Sequence, residues 1–106
     1  MTVSEVVTMF KSLSFPVEPD HVSLGTKVPF GEYEYDITPF SADGIAYINR
    51  YSFMLRVYVP KLNSKIDKEL SDLFKNNEIV WTRSAPIWID DSKVYELDYE
   101  FGVIGE

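Results

Sequence analysis

The fold turns on one stretch, Ala46-Tyr47-Ile48-Asn49-Arg50-Tyr51-Ser52-Phe53-Met54-Leu55-Arg56-Val57-Tyr58-Val59. Successive side chains of a strand point to opposite faces, so a period of two separates this run into two sets. Tyr47, Tyr51, Phe53, Leu55, Val57 and Val59 share one parity. Ile48, Arg50, Met54, Arg56 and Tyr58 share the other. One set is apolar and the other amphipathic, as in a central strand or one whose outer face is covered in an assembly. Pro60 closes the run because it has no N–H for a ladder.

Two further runs alternate in the same way. Glu32, Glu34 and Asp36 oppose Tyr33, Tyr35 and Ile37; Glu96, Asp98 and Glu100 oppose Tyr95, Leu97, Tyr99, Phe101 and Val103 in a strand over 93–104. Like charges directly across a sheet repel. Six carboxylates on two strands therefore need a basic strand between them, and Arg50 and Arg56 are the available partners. The expectation is that strand 46–59 lies between strands 32–37 and 93–104, with both arginines on the acidic face.

The remaining segments supply helices and turns. Thr2 and Glu5 make a capping box for a helix whose stripe is Val3, Val6, Val7, Phe10 and Leu13, with Phe15-Pro16 as its stop. Residues 16–31 read as a Pro- and Gly-containing loop with a short strand near His21–Leu24, and Thr38 to Gly44 as a turn-forming connection. A second helix over 65–76 carries Ile66, Leu70, Leu73 and Phe74, with a Ser64/Asp67 cap and a left-handed stop at Asn76-Asn77. Ile79–Arg83 and Ile87–Ile89 are short strands around Ser84-Ala85-Pro86, and Asp90-Asp91-Ser92 is a turn. The order α-ββ-α-βββ gives an α+β domain over residues 1–106, its mainly antiparallel sheet covered by two helices on one face.

Composition narrows the chemistry. The chain has 106 residues, 17 acidic and 10 basic, for a formal charge of −7, and no cysteine. That length suits one domain. Without cysteine there is no disulfide, thiolate nucleophile or zinc–thiolate site. The basic residues are scattered, so sequence-specific nucleic-acid binding is not expected. No signal peptide or membrane span is read. The single His21 has no nucleophile or carboxylate motif around it, and the five glycines form no phosphate-cradling loop. Neighbouring carboxylates on one strand face stand ~7 Å apart, which frames a metal only if strands converge. We therefore expect no enzyme, no catalytic residue, no cofactor and no metal. Seven tyrosines, seven phenylalanines and two tryptophans are more than a core this size readily takes. Ile48, Met54, Tyr58, Trp81 and Trp88 are the candidate subunit-interface residues.

The run Trp88-Ile89-Asp90-Asp91-Ser92-Lys93-Val94-Tyr95-Glu96-Leu97-Asp98-Tyr99-Glu100-Phe101 resembles the closing hairpin of small tail proteins of long, non-contractile-tailed phages and prophages of Gram-positive hosts. The opening Ser4-Glu5-Val6-Val7-Thr8-Met9-Phe10-Lys11 with Phe15-Pro16 and His21 is similar to their first helix and loop. Tyr33-Glu34-Tyr35, Ala42-Asp43 and Tyr58 before a charged helix match in order. The chain departs from them at Gly44, where relatives often carry Asn, and at Arg56-Val57-Tyr58, where they often carry an acid. The resemblance implies a tail terminator or head–tail joining protein: a virion component, assembled in the host cytoplasm. Its subunits form a ring, commonly hexameric, between the tail tube protein and the head–tail connector. Such a ring passes DNA, and Glu32, Glu34, Asp36, Glu96, Asp98 and Glu100 are the candidates to face its channel, since carboxylates repel phosphates. Two other readings compete. An acidic binding module, such as a DNA-mimicking inhibitor or antitoxin-like partner, would use the same rows as phosphate substitutes. A metal-assisted hydrolase would use them as ligands.

Overall fold

A computed structural model describes residues 1–19, 28–42, 45–62 and 64–105, with the backbone alone for 40–42 and 45–48. His21, the proposed strand beside it and the Asp43-Gly44 turn lie outside the described residues. Two helices, α1 (Val3–Phe10) and α2 (Ser64–Asn76), accompany six strands: β1 (Val17–Pro19), β2 (Phe30–Ala42), β3 (Ile45–Val59), β4 (Trp81–Arg83), β5 (Ile87–Ile89) and β6 (Val94–Gly105). The chain is α+β, and its sheet is antiparallel except where β1 runs parallel to β2. No described helix is long and apolar enough to cross a membrane.

The sheet order is β1-β2-β3-β6-β4, with β5 also on β6. Strand β3 is central and pairs with β2 and β6, as the charge argument requires. Phe53 and Phe101 face each other across the β3–β6 ladder and stack at 5.1 Å with ring planes 2° apart. Both helices rest on this pair. From α1, Phe10 meets Phe53 and Phe101 edge-on; from α2, Phe74 lies 4.9 Å from Phe101 and 5.4 Å from Trp81. Val6, Leu55, Val57, Leu70 and Leu97 fill the space between them. One layer of helix on one face of one sheet is the result.

Strands β4 and β5 are two halves of one edge. Trp81 pairs with Phe101 and Arg83 with Tyr99, while Ile87 pairs with Glu96. Ser84, Ala85 and Pro86 thus oppose only Leu97 and Asp98. The extra residue makes a bulge, and Pro86 falls where no ladder N–H is needed.

Several boundaries differ from the sequence reading. Helix α1 ends at Phe10, not before Pro16: the Ser12 hydroxyl donates to the Met9 carbonyl at 2.7 Å and competes with the next helical turn. Ser14 then ties this loop to α2, its N–H and hydroxyl donating to the two oxygens of Glu69. Strand β2 runs on through Thr38 to Ala42, where a connection was expected, with its register shifting at Phe40/Ser41. Pro39 is tolerated because its nitrogen faces the outer edge. Gly31 N–H points to β1, donating to Pro16 O at 2.8 Å, and every second residue from there points the same way.

Asp67, read as half of a cap, accepts instead from the hydroxyl of Tyr99 at 2.7 Å, with Arg83 Nε 3.6 Å away. Burial and this carboxylate hold the Tyr99 phenol well above its ordinary range. The left-handed residue ending α2 is Glu78, not Asn76 or Asn77. Ile79 N–H reaches back to Phe74 O and Glu78 N–H to Lys75 O, a Schellman closure whose apolar contact is Phe74 with Ile79. Ile79 therefore seals the helix, and β4 starts at Trp81.

Two stability changes follow. Tyr99→Phe keeps the ring and removes the hydrogen bond to the partly exposed Asp67 carboxylate, and should cost about 1 kcal/mol in urea unfolding. Glu78→Gly relieves a side chain at φ 57° and removes a negative charge from a helix C-terminus. It should raise stability by about 1 kcal/mol in the same measurement.

Candidate functional site

The face of the sheet away from the helices is the candidate site. Its membership follows from parity and register alone. Across β2, β3 and β6 it reads, in successive rows, Phe30–Tyr58–Glu96, Glu32–Arg56–Asp98, Glu34–Met54–Glu100, Asp36–Ser52–Gly102 and Thr38–Arg50–Ile104. The edge adds Ile87 beside Glu96 and Thr82 beside Glu100. All six candidate carboxylates are therefore on one surface. With Glu18, which β1 sets beside Glu32, seven carboxylates against two guanidinium groups leave it a formal excess of five negative charges.

The two arginines are held differently. Arg56 stands between Glu32 and Asp98 in register, but its guanidinium reaches diagonally to Glu34 at 2.7 Å. That hydrogen bond, reinforced by the fields of Glu34, Asp98 and Glu32, raises the Arg56 pKa above its ordinary value. Both side chains are partly exposed, so the pair contributes at most about 1 kcal/mol. Arg50 has no carboxylate within ion-pair distance among the described residues. It lies instead over Gly102, where a Cβ would sit 3.3 Å from Arg50 Nε. Small side chains at Ser52 and Gly102 leave a shallow dip bordered by Asp36, Arg50, Met54 and Glu100.

At the other end the carboxylates crowd. Tyr58 donates its hydroxyl to Glu32 at 2.9 Å, and its ring packs on Phe30 at 4.9 Å. Burial, then this hydrogen bond, pushes the Tyr58 phenol far above its ordinary range. Glu96 is pushed up to about 7, first by burial and then by the hydrogen bond and negative charge of Asp98; Tyr58 and Arg56 pull weakly the other way. Asp98 Oδ1 is buried and meets no donor among the described residues. A proton on Glu96 supplies a donor beside it.

The interface candidates do not gather into one patch. Met54 and Tyr58 belong to the acidic face. Trp81 is half-buried on the helix side against Phe74. Trp88 is 47% exposed at the sheet edge, 4.8 Å from Tyr95. The side chain of Ile48 lies outside the described residues. Reading the sequence missed Phe30, Gly102 and Val80, the last 86% exposed beside the edge strand. Among the described residues no three acidic or histidine side chains are placed to hold a metal ion. This surface can present negative potential and take up a proton.

The raised Glu96 pKa has a definite sign for stability. The folded state holds its proton more tightly than the unfolded chain, so stability should be highest below about pH 4.5 as far as this group is concerned. It should decline as pH rises to about 7 and level off above. Glu96→Gln should remove that decline and be the more stable form at pH 8 by about 1–2 kcal/mol, allowing for partial exposure. Equal urea midpoints for the two proteins at pH 8 would sink the argument.

The chain matches no family model and no curated protein.

Proposed function

We propose that this protein is a structural ring subunit of a long, non-contractile phage or prophage tail, a tail terminator or head–tail joining protein. It performs no bond-making chemistry and binds no cofactor. Its subunits surround a passage for DNA, between the tail tube protein and the head–tail connector. The observation that carries the reading is the electrostatic division of the fold. One sheet face is closed by both helices; the other carries no layer among the described residues and is loaded with seven carboxylates. A wall that must let a polyanion slide past should repel phosphates over its whole area, and such a face does this at low dielectric cost because it is wet. The resemblance of the closing hairpin and first helix to these tail proteins supplies the identity of the passage.

The competing reading, a DNA-mimicking acidic module, draws on the ~7 Å spacing of carboxylates along one strand. Arg56, hydrogen-bonded to Glu34 in the middle of the field, and Arg50 over Gly102 interrupt any phosphate-like row. A repelling wall tolerates that interruption better than a mimic does.

The test uses the tail tube protein encoded in the same genome. Added to polymerising tubes, the chain should stop elongation and appear as a ring at tube ends in negative-stain images. Particles carrying Asp36→Lys with Glu100→Lys, both exposed and apart from the Arg56–Glu34 ion pair, should assemble and eject DNA more slowly by about tenfold. Tubes that grow unchecked, or a stable complex with a basic host protein in place of a ring, would refute the assignment.

A further inference from the structure

Among the described residues both lateral margins of the sheet are open. Along β2 the six residues from Glu34 to Pro39 are all exposed, on both faces of the strand. Along the opposite margin the seven residues from Thr82 to Trp88 are all exposed as well. Tyr35 and Ile37 are 40% and 55% exposed on one side; Val80 and Trp88 are 86% and 47% exposed on the other. Core strands of this sheet do not behave so: β3 alternates buried and half-buried from Phe53 to Val59.

The backbone at these margins can be oriented from two hydrogen bonds. Gly31 N–H points outward to β1, so the N–H and C=O of Tyr35 and Ile37 point to the same outer edge. Strand β1 pairs only as far as Tyr33, so no described strand takes them up. Ser84 N–H points inward to Asp98 O, so Trp81 and Arg83 present their backbone groups outward on the other margin. Proline bounds each open ladder, Pro39 on β2 and Pro86 beyond β4. An exposed edge of this kind is a template for another strand.

We infer that the β2 edge from Glu34 to Thr38 pairs with the β4 edge of a second copy of this chain, head to tail. Charge selects this partner. A β2 edge against its own copy sets Glu34 and Asp36 near their equivalents, and like charges across a ladder destabilise it. Against β4, the acidic residues on the open face meet Val80 and Thr82, which are neutral. On the helix side Tyr35 and Ile37 meet Trp81, an aromatic–aliphatic match. Continuing the sheet in this way keeps every acidic face on the same side. Because donor and acceptor surfaces differ, the contact is heterologous and generates rings or open helices rather than dimers. This contact deepens the ring reading proposed above and takes its closure from it, but the pairing itself rests only on the two edges.

The absence of cysteine from the chain makes the test clean. Thr38→Cys and Thr82→Cys each place one thiol on an exposed margin of the same face. With a short bismaleimide at millimolar protein, a mixture of the two should yield a covalent dimer, and either variant alone should not. The double variant should give a ladder of linked chains. Ile37→Pro removes one outward N–H without touching the β3 ladder, and should weaken association about tenfold in light scattering while leaving the circular dichroism of the monomer unchanged. Linkage of Thr38→Cys to itself, or no mixed product at this concentration, would overturn the edge pairing. Mixed products from a protein that leaves tube growth unaltered would keep the edge pairing and overturn the phage assignment instead.

Discussion

The stack of Phe53 on Phe101 sets everything else in place. The two rings belong to neighbouring strands at one register position, and both helices touch them. A strand pair slipped by one residue reverses every side chain. Here such a slip of β6 against β3 would drive Glu96, Asp98 and Glu100 under the helices and lift Leu97, Tyr99 and Phe101 into water. Burying unpaired carboxylates costs several kcal/mol each, so the register has no near competitor. The aromatic pair and the acidic face are thus one constraint seen from two sides.

That constraint explains the arginines. Once parity commits two strands to acidic residues on one face, their neighbour must separate them. Strand β3 does so with Arg56 where Glu32 and Asp98 converge, with neutral Met54 and Ser52 in the next two rows and with Arg50 beyond them. The compensation is partial. Glu96 and Asp98, two residues apart on β6, share one end of the face with Glu32; there burial and Asp98 raise the Glu96 pKa, and the Tyr58 hydroxyl donates to Glu32. The face keeps a large negative excess that a sequence optimised only for folding would dilute.

Much of this was legible because alternation is a local signal. The parity sets of 46–59, 32–37 and 93–104 predicted which residues share a face, and the repulsion argument predicted the strand order. What escaped the sequence depended on geometry that no window contains. Ser12 ends α1 through its own hydroxyl, so the proline at 16 had nothing left to stop. Pro39 looked like a turn residue because its tolerance depends on which side of β2 is vacant, and that is set by the pairing of β1. Glu78 has no left-handed preference by residue type; the Schellman closure and the burial of Ile79 put it there. Trp81 and Trp88 looked alike as aromatic anchors, but the bulge between them places one over Phe74 and the other at the sheet edge.

The features that disagree with local preference fall in two places. One is the open face, where burial and then the neighbouring Asp98 raise the Glu96 pKa, and Asp98 Oδ1 has no donor among the described residues. The other is the pair of margins, where apolar side chains remain in water and backbone groups meet no partner strand among the described residues. Local and global signals agree through the core, and disagreement concentrated at particular surfaces marks what a sequence retains for reasons other than folding. A crowded negative face is disadvantageous to an isolated subunit and useful to a wall. Open sheet edges are hazardous to an isolated subunit and useful to a chain of copies. Joined at those edges, the subunits would bury what is apolar and leave exposed what is charged, so each anomaly supplies the other's reason.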